Sequence, residues 1–414
     1  MTDLASQVQQ QANTGPRWLQ KAARRTLLAV LAKLRHGQLT LVDADGTQVF
    51  GQGQPAATLE IRDNRFYRQV LLGGSIGAGE AYIDGLWHSD DLTALVRLMV
   101  LNMPLLDSLE RRLAWLSWPL QRLRHVANRN SRQGAKRNIL AHYDLGNELY
   151  GAFLDPTMMY SSAIYPHSEA SLEEAQLHRL DRICQQLQLQ PTDHLLEIGT
   201  GWGGLAMHAA QHYGCQVTTT TISEAQYQAA CARVKAAGLE QQITLLQDDY
   251  RDLQGQYDKL VSIEMIEAVG HDYLPGFFEQ CQALLKPQGI MLLQAITISD
   301  QRYDSYVRSV DFIQRYIFPG GCLPSNTRML SVMADNTDFV VRRLHDFGFD
   351  YARTLRDWRQ RFHQAFEELR QHGYDERFRR LWDYYLCYCE GGFMERAISV
   401  VHLLASRPGN RAVL

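Results

Sequence analysis

The clearest pattern in the chain is an alternation of short apolar runs with helical stretches from about residue 172 onward. "HLLEIG" (194–199) places Leu195, Leu196 and Ile198 in a short run closed by turn residues, which predicts a buried strand. "LAMHAAQHYG" then carries Leu205, Ala206, Ala209 and Ala210 at helical spacing. A second strand is predicted over Val217–Ile222, a helix over Glu224–Ala237 and a third strand in "ITLLQDDYRDL", ending in acids. A fourth follows in "YDKLVSIEMIEAVG", and a helix end, a turn and a fifth strand in "LLKPQGIMLLQAITI". Strands alternating with helices predict an α/β fold, a doubly wound, Rossmann-like parallel sheet.

The first third reads differently. Residues 17–36 predict an amphipathic helix, with Trp18, Ala22, Leu27, Leu28, Leu31 and Leu34 apolar among Arg and Lys. Two strand-like runs, "GQLTLVDADG" and "AATLEIRD", precede a helix in "DNRFYRQVLLGG", closed by glycine, and another in "DDLTALVRLMVLN". This predicts a smaller α+β domain. The expected division is residues 1–125, including a basic linker, and residues 126–414.

Composition adds little until charge is located. The 414 residues carry a net charge of −3, yet residues 1–137 hold 18 Lys/Arg against 11 Asp/Glu. From Arg111 to Arg137 there are eight basic residues and no acid, with Trp115 and Trp118 interleaved. Such a segment suits an anionic membrane surface, a packed linker or nucleic-acid phosphates, in falling order given the interfacial preference of Trp. Seven scattered cysteines with no CxxC pair predict reduced thiols and no metal site. No signal peptide or membrane-spanning run is legible.

The candidate chemistry starts between the first strand and its helix. "GTGWGG" places Gly199, Gly201, Gly203 and Gly204 there. Glycine opens backbone angles closed to other residues and lets a ligand approach the main chain. The bland alternative is a tight turn. The Lys-Ser/Thr ending of a phosphate loop is missing, and Trp202 would crowd a pyrophosphate.

This order of elements resembles the class I S-adenosylmethionine (SAM) methyltransferases. The resemblance implies that SAM meets Glu197, Gly199 and Gly201 after the first strand, Thr221 and Gln226 after the second, and Asp249 and Tyr250 after the third. More specifically, "GTGWGGLA", "TISEAQ", "DYRDL", "IEAVG", "YIFPGGCLPS" and "YYLCYCEGGF", with "NILAHYDLGNELYGAFLDPTMMYSSAIY" before them, are similar to the cyclopropane-fatty-acyl-phospholipid synthase family. "GAGEAYIDGLW" extends the likeness into the first domain. That family methylates the cis double bond of an unsaturated acyl chain in a membrane phospholipid. It adds Tyr160 and Ser161 to the SAM contacts and His142 and Tyr143 as a cap on the SAM site.

The family resolves its carbocation with a bicarbonate ion held by a cysteine, a glutamate, a histidine, a tyrosine and a main-chain group. In this chain these positions fall on Ser162, Glu267, Gln294, Tyr351 and Ile296. Two side chains depart from the pattern: Ser162 stands for the cysteine and Gln294 for the histidine. Cys389 matches a family cysteine near the active site. "FPGGCLPS" (318–325) looks like a lid over the acyl chain. The expected product is a cyclopropane fatty acid. Methylation without ring closure is the alternative, because the anion cage is altered. A small-amine N-methyltransferase using Glu267 and His271 is a rival, and a lipid-binding protein that kept the fold is the non-enzymatic one. The resemblance also implies a homodimer, cytoplasmic and peripheral to the inner face of the membrane, with no nucleic-acid partner.

Overall fold

The computed structural model describes residues 17–107 and 146–412. The segment Arg111–Arg137 with Trp115 and Trp118, and His142 and Tyr143, lie outside the described residues. By contacts the chain forms two units. One comprises residues 1–123 together with 374–395, the other residues 124–373 together with 396–414. The division expected from the sequence left 374–395 in the second part; the structure groups it with the first.

The first unit holds a four-stranded sheet in the order β2-β1-β3-β4, with β1 Gly37–Asp43, β2 Gly46–Gln52, β3 Ala56–Ile61 and β4 Trp87–Ser89. β1 and β2 form an antiparallel hairpin, and β1 runs parallel to β3. Leu39 and Leu41 alternate into the core with Leu59 and Ile61, while β2 stays largely exposed. Only β1 and β3 were legible in the sequence, because β2 has no buried face and β4 is three residues long. The helix expected to close at Gly73–Gly74 instead breaks at Gly74 (φ 54°) and resumes to Ile83.

Helix Glu376–Met394 belongs to this unit for identifiable reasons. The Thr93 hydroxyl donates to Glu390 at 2.9 Å, the Tyr82 hydroxyl to Asp383 at 2.8 Å, and Arg97 to Glu395 at 2.6 Å. Gly391 lets the helix approach Val96 so closely that a Cβ there would lie 2.6 Å from a Val96 methyl.

The second unit is built on a seven-stranded sheet in the order β10-β11-β9-β8-β5-β6-β7. Its strands are β5 His194–Ile198, β6 Gln216–Thr220, β7 Ile243–Leu246, β8 Tyr257–Ile263, β9 Leu285–Ile298, β10 Val340–Asp346 and β11 Ile398–Ser406. β5 to β9 pair in parallel, and β11 is antiparallel to both its neighbours. Adjacent residues face opposite sides: Leu195 and Leu292 pack in one core cluster, Leu196 and Leu293 in the other. A sheet covered on both faces needs such continuous apolar strands. The expected Rossmann-like α/β architecture is therefore present. The carboxyl ends of β5, β6 and β8 run into Gly199, Thr221 and Glu264, the crevice position where open α/β sheets bind ligands.

Candidate active site

Gly199, Gly201 and Gly203 all have positive φ (103°, 54° and 82°), angles that side chains resist. They turn the chain from β5 into helix Gly204–Tyr213. Glu197, one residue before the end of β5, is buried and accepts a 2.6 Å hydrogen bond from the Thr219 hydroxyl. Burial pushes its carboxyl up to about 8. After β6, the Thr221 hydroxyl donates to the Gln226 side chain at 3.0 Å. After β7, Asp249 is held by the Arg251 guanidinium through two bonds, and Tyr250 packs edge-on against Phe277.

A loop from Thr157 to Tyr165 passes over the N-terminus of the Gly204 helix, so close that a Cβ on Gly204 would lie 2.5 Å from the Thr157 carbonyl. Ser161 sits on this loop, and its hydroxyl is buried with no hydrogen-bond partner among the described residues. The ring of Tyr160 lies 5.2 Å from Tyr150, 5.3 Å from Trp358 and 6.4 Å from Phe318. An unpartnered buried hydroxyl, a glycine turn and a buried acid at a strand end fit the polar amino-acid and ribose parts of SAM. The aromatic faces fit its sulfonium.

The structure brings together the five positions matched to the anion cage, around a residue that sequence reasoning passed over. Glu264 follows β8 in the left-handed region, at φ 48°, a strain of about 1–3 kcal/mol for a residue other than glycine. Its Oε1 accepts from the Ser162 main-chain N–H at 2.9 Å and from the Gln294 amide at 2.7 Å. Its Oε2 accepts from the Tyr351 hydroxyl at 2.7 Å. The remaining two positions meet each other, the Ile296 N–H donating to Glu267 Oε1. The Ser162 hydroxyl is turned away, onto the Ala163 carbonyl.

Behind Glu264 lies Arg179, fully buried on helix Leu172–Gln186, its guanidinium donating to Gln294 Oε1 at 3.2 Å. Burial lowers its pKa to about 10, against the pull of Glu264 and Asp155. Glu264 itself is pushed above the ordinary carboxylate range by burial, partly offset by its three donors and by Arg179. Glu267 is pushed up to about 8 by burial and by the charge of Glu264. Its Oε2 has no partner among the described residues.

A pH prediction follows for Glu267. Its folded pKa, about 8, lies above the unfolded value of 4.5. The folded state therefore binds the extra proton, and its stabilising effect fades as pH rises from 4.5 to about 8. Glu267→Gln is expected to reduce the difference between urea midpoints at pH 5.5 and pH 8.5. An unchanged difference would show that Glu267 does not titrate in this window.

His271 hydrogen-bonds the Tyr303 hydroxyl at 2.7 Å. Cys389 is on helix Glu376–Met394, in the first unit. The "FPGGCLPS" loop is tied to the site residues, the Cys322 N–H donating to the Glu267 carbonyl at 2.7 Å and the Ile298 N–H to the Pro324 carbonyl at 3.0 Å. Among the described residues there is no group of three or more His, Cys, Asp or Glu placed to hold a metal, and no helix long and apolar enough to cross a membrane.

The family model for mycolic acid cyclopropane synthetase matches residues 130–403. The chain belongs to this family. It is 37% identical over 382 residues to a tuberculostearic acid methyltransferase of Mycobacterium tuberculosis, covering 90% of this chain and 89% of that one. It is 38% identical over 357 residues to the cyclopropane-fatty-acyl-phospholipid synthase of Escherichia coli, covering 86% and 89%. Among solved structures it is similar to a mycolic acid cyclopropane synthase in complex with SAH (TM-score 0.62, 30% identity, 66% of this chain and 98% of that one). Membership makes the chain a SAM-dependent methyltransferase, with SAM as cofactor.

Proposed function

We propose that the protein transfers the methyl group of SAM to the cis double bond of an unsaturated acyl chain carried by a phospholipid, and that ring closure to a cyclopropane fatty acid completes the reaction. The observation that carries this reading is the pair Glu264 and Glu267, both partly buried and close enough that the charge of Glu264 raises Glu267. Near Ser162, which touches Glu264, the preceding Tyr160 is walled by Tyr150, Trp358 and Phe318. An alkene is a weak nucleophile, and its methylation leaves positive charge on carbon. A water-poor site with aromatic faces and a fixed carboxylate stabilises that charge and offers a place for a proton. SAM supplies the electrophilic methyl. Tyr351, Gln294 and the Ser162 N–H hold the carboxylate in place.

The acyl chain of a phospholipid lies in a bilayer, so the enzyme works at a membrane surface; the basic, Trp-bearing segment 111–137 supports this reading. The similarity to a tuberculostearic acid methyltransferase favours a second reading, methylation without ring closure. SAM with a fully deuterated methyl, incubated with cis-unsaturated phospholipid vesicles, separates them. Acyl chains retaining two deuterium atoms and showing upfield ring signals establish cyclopropanation. Chains retaining three establish the branched product, and no labelled lipid would overturn the lipid reading altogether.

A further inference from the structure

We propose that Glu264 is the proton acceptor of this reaction, a carboxylate built into the chain at the place where the family resemblance puts bicarbonate, and that turnover therefore needs no added anion. The inference rests on the function proposed above.

The resemblance assigns five groups to the anion; in this structure four of them donate to carboxylates of the chain, and the fifth, Glu267, is one of those carboxylates. The Ser162 N–H, the Gln294 amide and the Tyr351 hydroxyl converge on Glu264. The Ile296 N–H is taken by Glu267, whose other oxygen is itself an acceptor when ionised. A bicarbonate ion at this place would find no N–H, amide or tyrosine donor left among the five, only the Glu267 carboxyl while it is protonated, and would face the charge of Glu264. The cage does not fit a second anion.

The geometry also names the atom. Each carboxylate oxygen has two lone pairs. Glu264 Oε1 receives two donors and is filled, whereas Oε2 receives only Tyr351. Oε2 keeps one lone pair for a proton. The positioning is supported from behind. Arg179 can only donate, so the Gln294 atom facing it is the carbonyl oxygen, which also meets His402 Nε2 at 3.0 Å. Burial holds His402 neutral, so Nε2 carries its proton and Nδ1 accepts from Gln186 at 3.4 Å. Both ends of the Gln294 amide are thereby fixed, its NH2 aimed at Glu264 and the Ser162 carbonyl.

The step balances without a further reactant. The double-bond electron pair forms the bond to the methyl carbon, and the carbon–sulfur pair leaves with sulfur as S-adenosylhomocysteine. A lone pair on Glu264 Oε2 takes a proton from the added methyl, and the released C–H pair closes the ring. Glu264 returns its proton to solvent after the product departs.

The test uses the purified full chain, SAM and vesicles of dioleoyl phosphatidylglycerol in carbon-dioxide-free buffer, with and without added bicarbonate. Wild-type rates are expected to be equal in both. Glu264→Gln fills the same space without a basic oxygen, and is expected to lose at least about a hundredfold in rate in both buffers while still binding SAM. Glu264→Gly relaxes the backbone, since glycine is unstrained at φ 48°, and frees the three donors. Its activity is expected to be low in bicarbonate-free buffer and to rise with bicarbonate concentration. Wild-type turnover that falls several-fold without bicarbonate would overturn this inference alone, as would full activity of Glu264→Gln. So would a folded, SAM-binding Glu264→Gly that bicarbonate does not restore. A wild-type protein that labels no lipid at all would overturn the proposed function, and this inference with it.

Discussion

Replacing Arg179 with methionine is expected to cost the fold about 3–5 kcal/mol, the range found when one partner of a buried charge set is removed. Arg179 is fully buried, and the charges that favour its protonated form include Glu264, Asp155 and Glu197. Methionine matches the length of the stem but leaves these acids without their cation. Glu264 is already raised by burial, and loss of Arg179 removes one of the few effects that oppose the rise. The carboxyl would then be protonated over a wider range, so the acidic limb of the rate–pH profile is expected to move to higher pH. The urea midpoint at pH 7 reads the first effect and the profile the second. Arg179→Lys, which keeps a charge, is expected to recover part of both. A methionine variant as stable as wild type, with an unmoved profile, would show that the acids find their compensation elsewhere.

Gly204→Ala is expected to be the other severe substitution, although it adds a single methyl. That methyl would stand 2.5 Å from the Thr157 carbonyl and 2.6 Å from the Met159 sulfur. The methionine can swing aside; the carbonyl belongs to the main chain of the loop that carries Ser161 and Ser162. Relief therefore lifts the loop, moving the buried Ser161 hydroxyl and the Ser162 N–H that binds Glu264. Overpacking of this kind costs about 1–3 kcal/mol, and SAM affinity is expected to fall about 10- to 100-fold, measured by calorimetric titration. Gly276→Ala is the control, because a Cβ there meets nothing within 4 Å. Equal SAM affinity in both variants would mean that the loop does not touch the cofactor site.

The second unit was largely legible because its strands are buried on both faces. Runs such as "HLLEI" and "IMLLQAITI" announce themselves, and the glycines after β5 mark the turn that the structure places at positive φ. The site was half legible. Family resemblance led to Ser162, Glu267, Gln294, Ile296 and Tyr351, and these do converge. Glu264 lies three residues before Glu267 in the same run, "SIEMIEAV", and nothing in a strand-end acid reveals that its backbone turns left-handed and folds it inward. The signal was available as a second acid at close spacing after an apolar strand. Arg179 and His402 were hidden by the opposite habit. Arg179 sits in "HRLDRICQQ", a stretch that reads as a solvated helix face, and His402 in "VVHLLAS", which reads as plain strand.

The chain order of helix Glu376–Met394 and β11 has a consequence for synthesis. The helix supplies the partners of Thr93, Tyr82 and Arg97 in the first unit. Four residues later β11 inserts between β9 and β10, which otherwise have no common neighbour in the sheet. A ribosome that has made residues 1–373 has therefore completed neither unit. The first waits with the side of Val96 and Thr93 uncovered, and the second with a gap in its sheet. Both are finished by the stretch from Glu376 to Ser406. Until residues 374–406 have been made, the nascent chain must keep two open apolar surfaces from other chains, the kind of exposure that makes unfinished domains prone to aggregate.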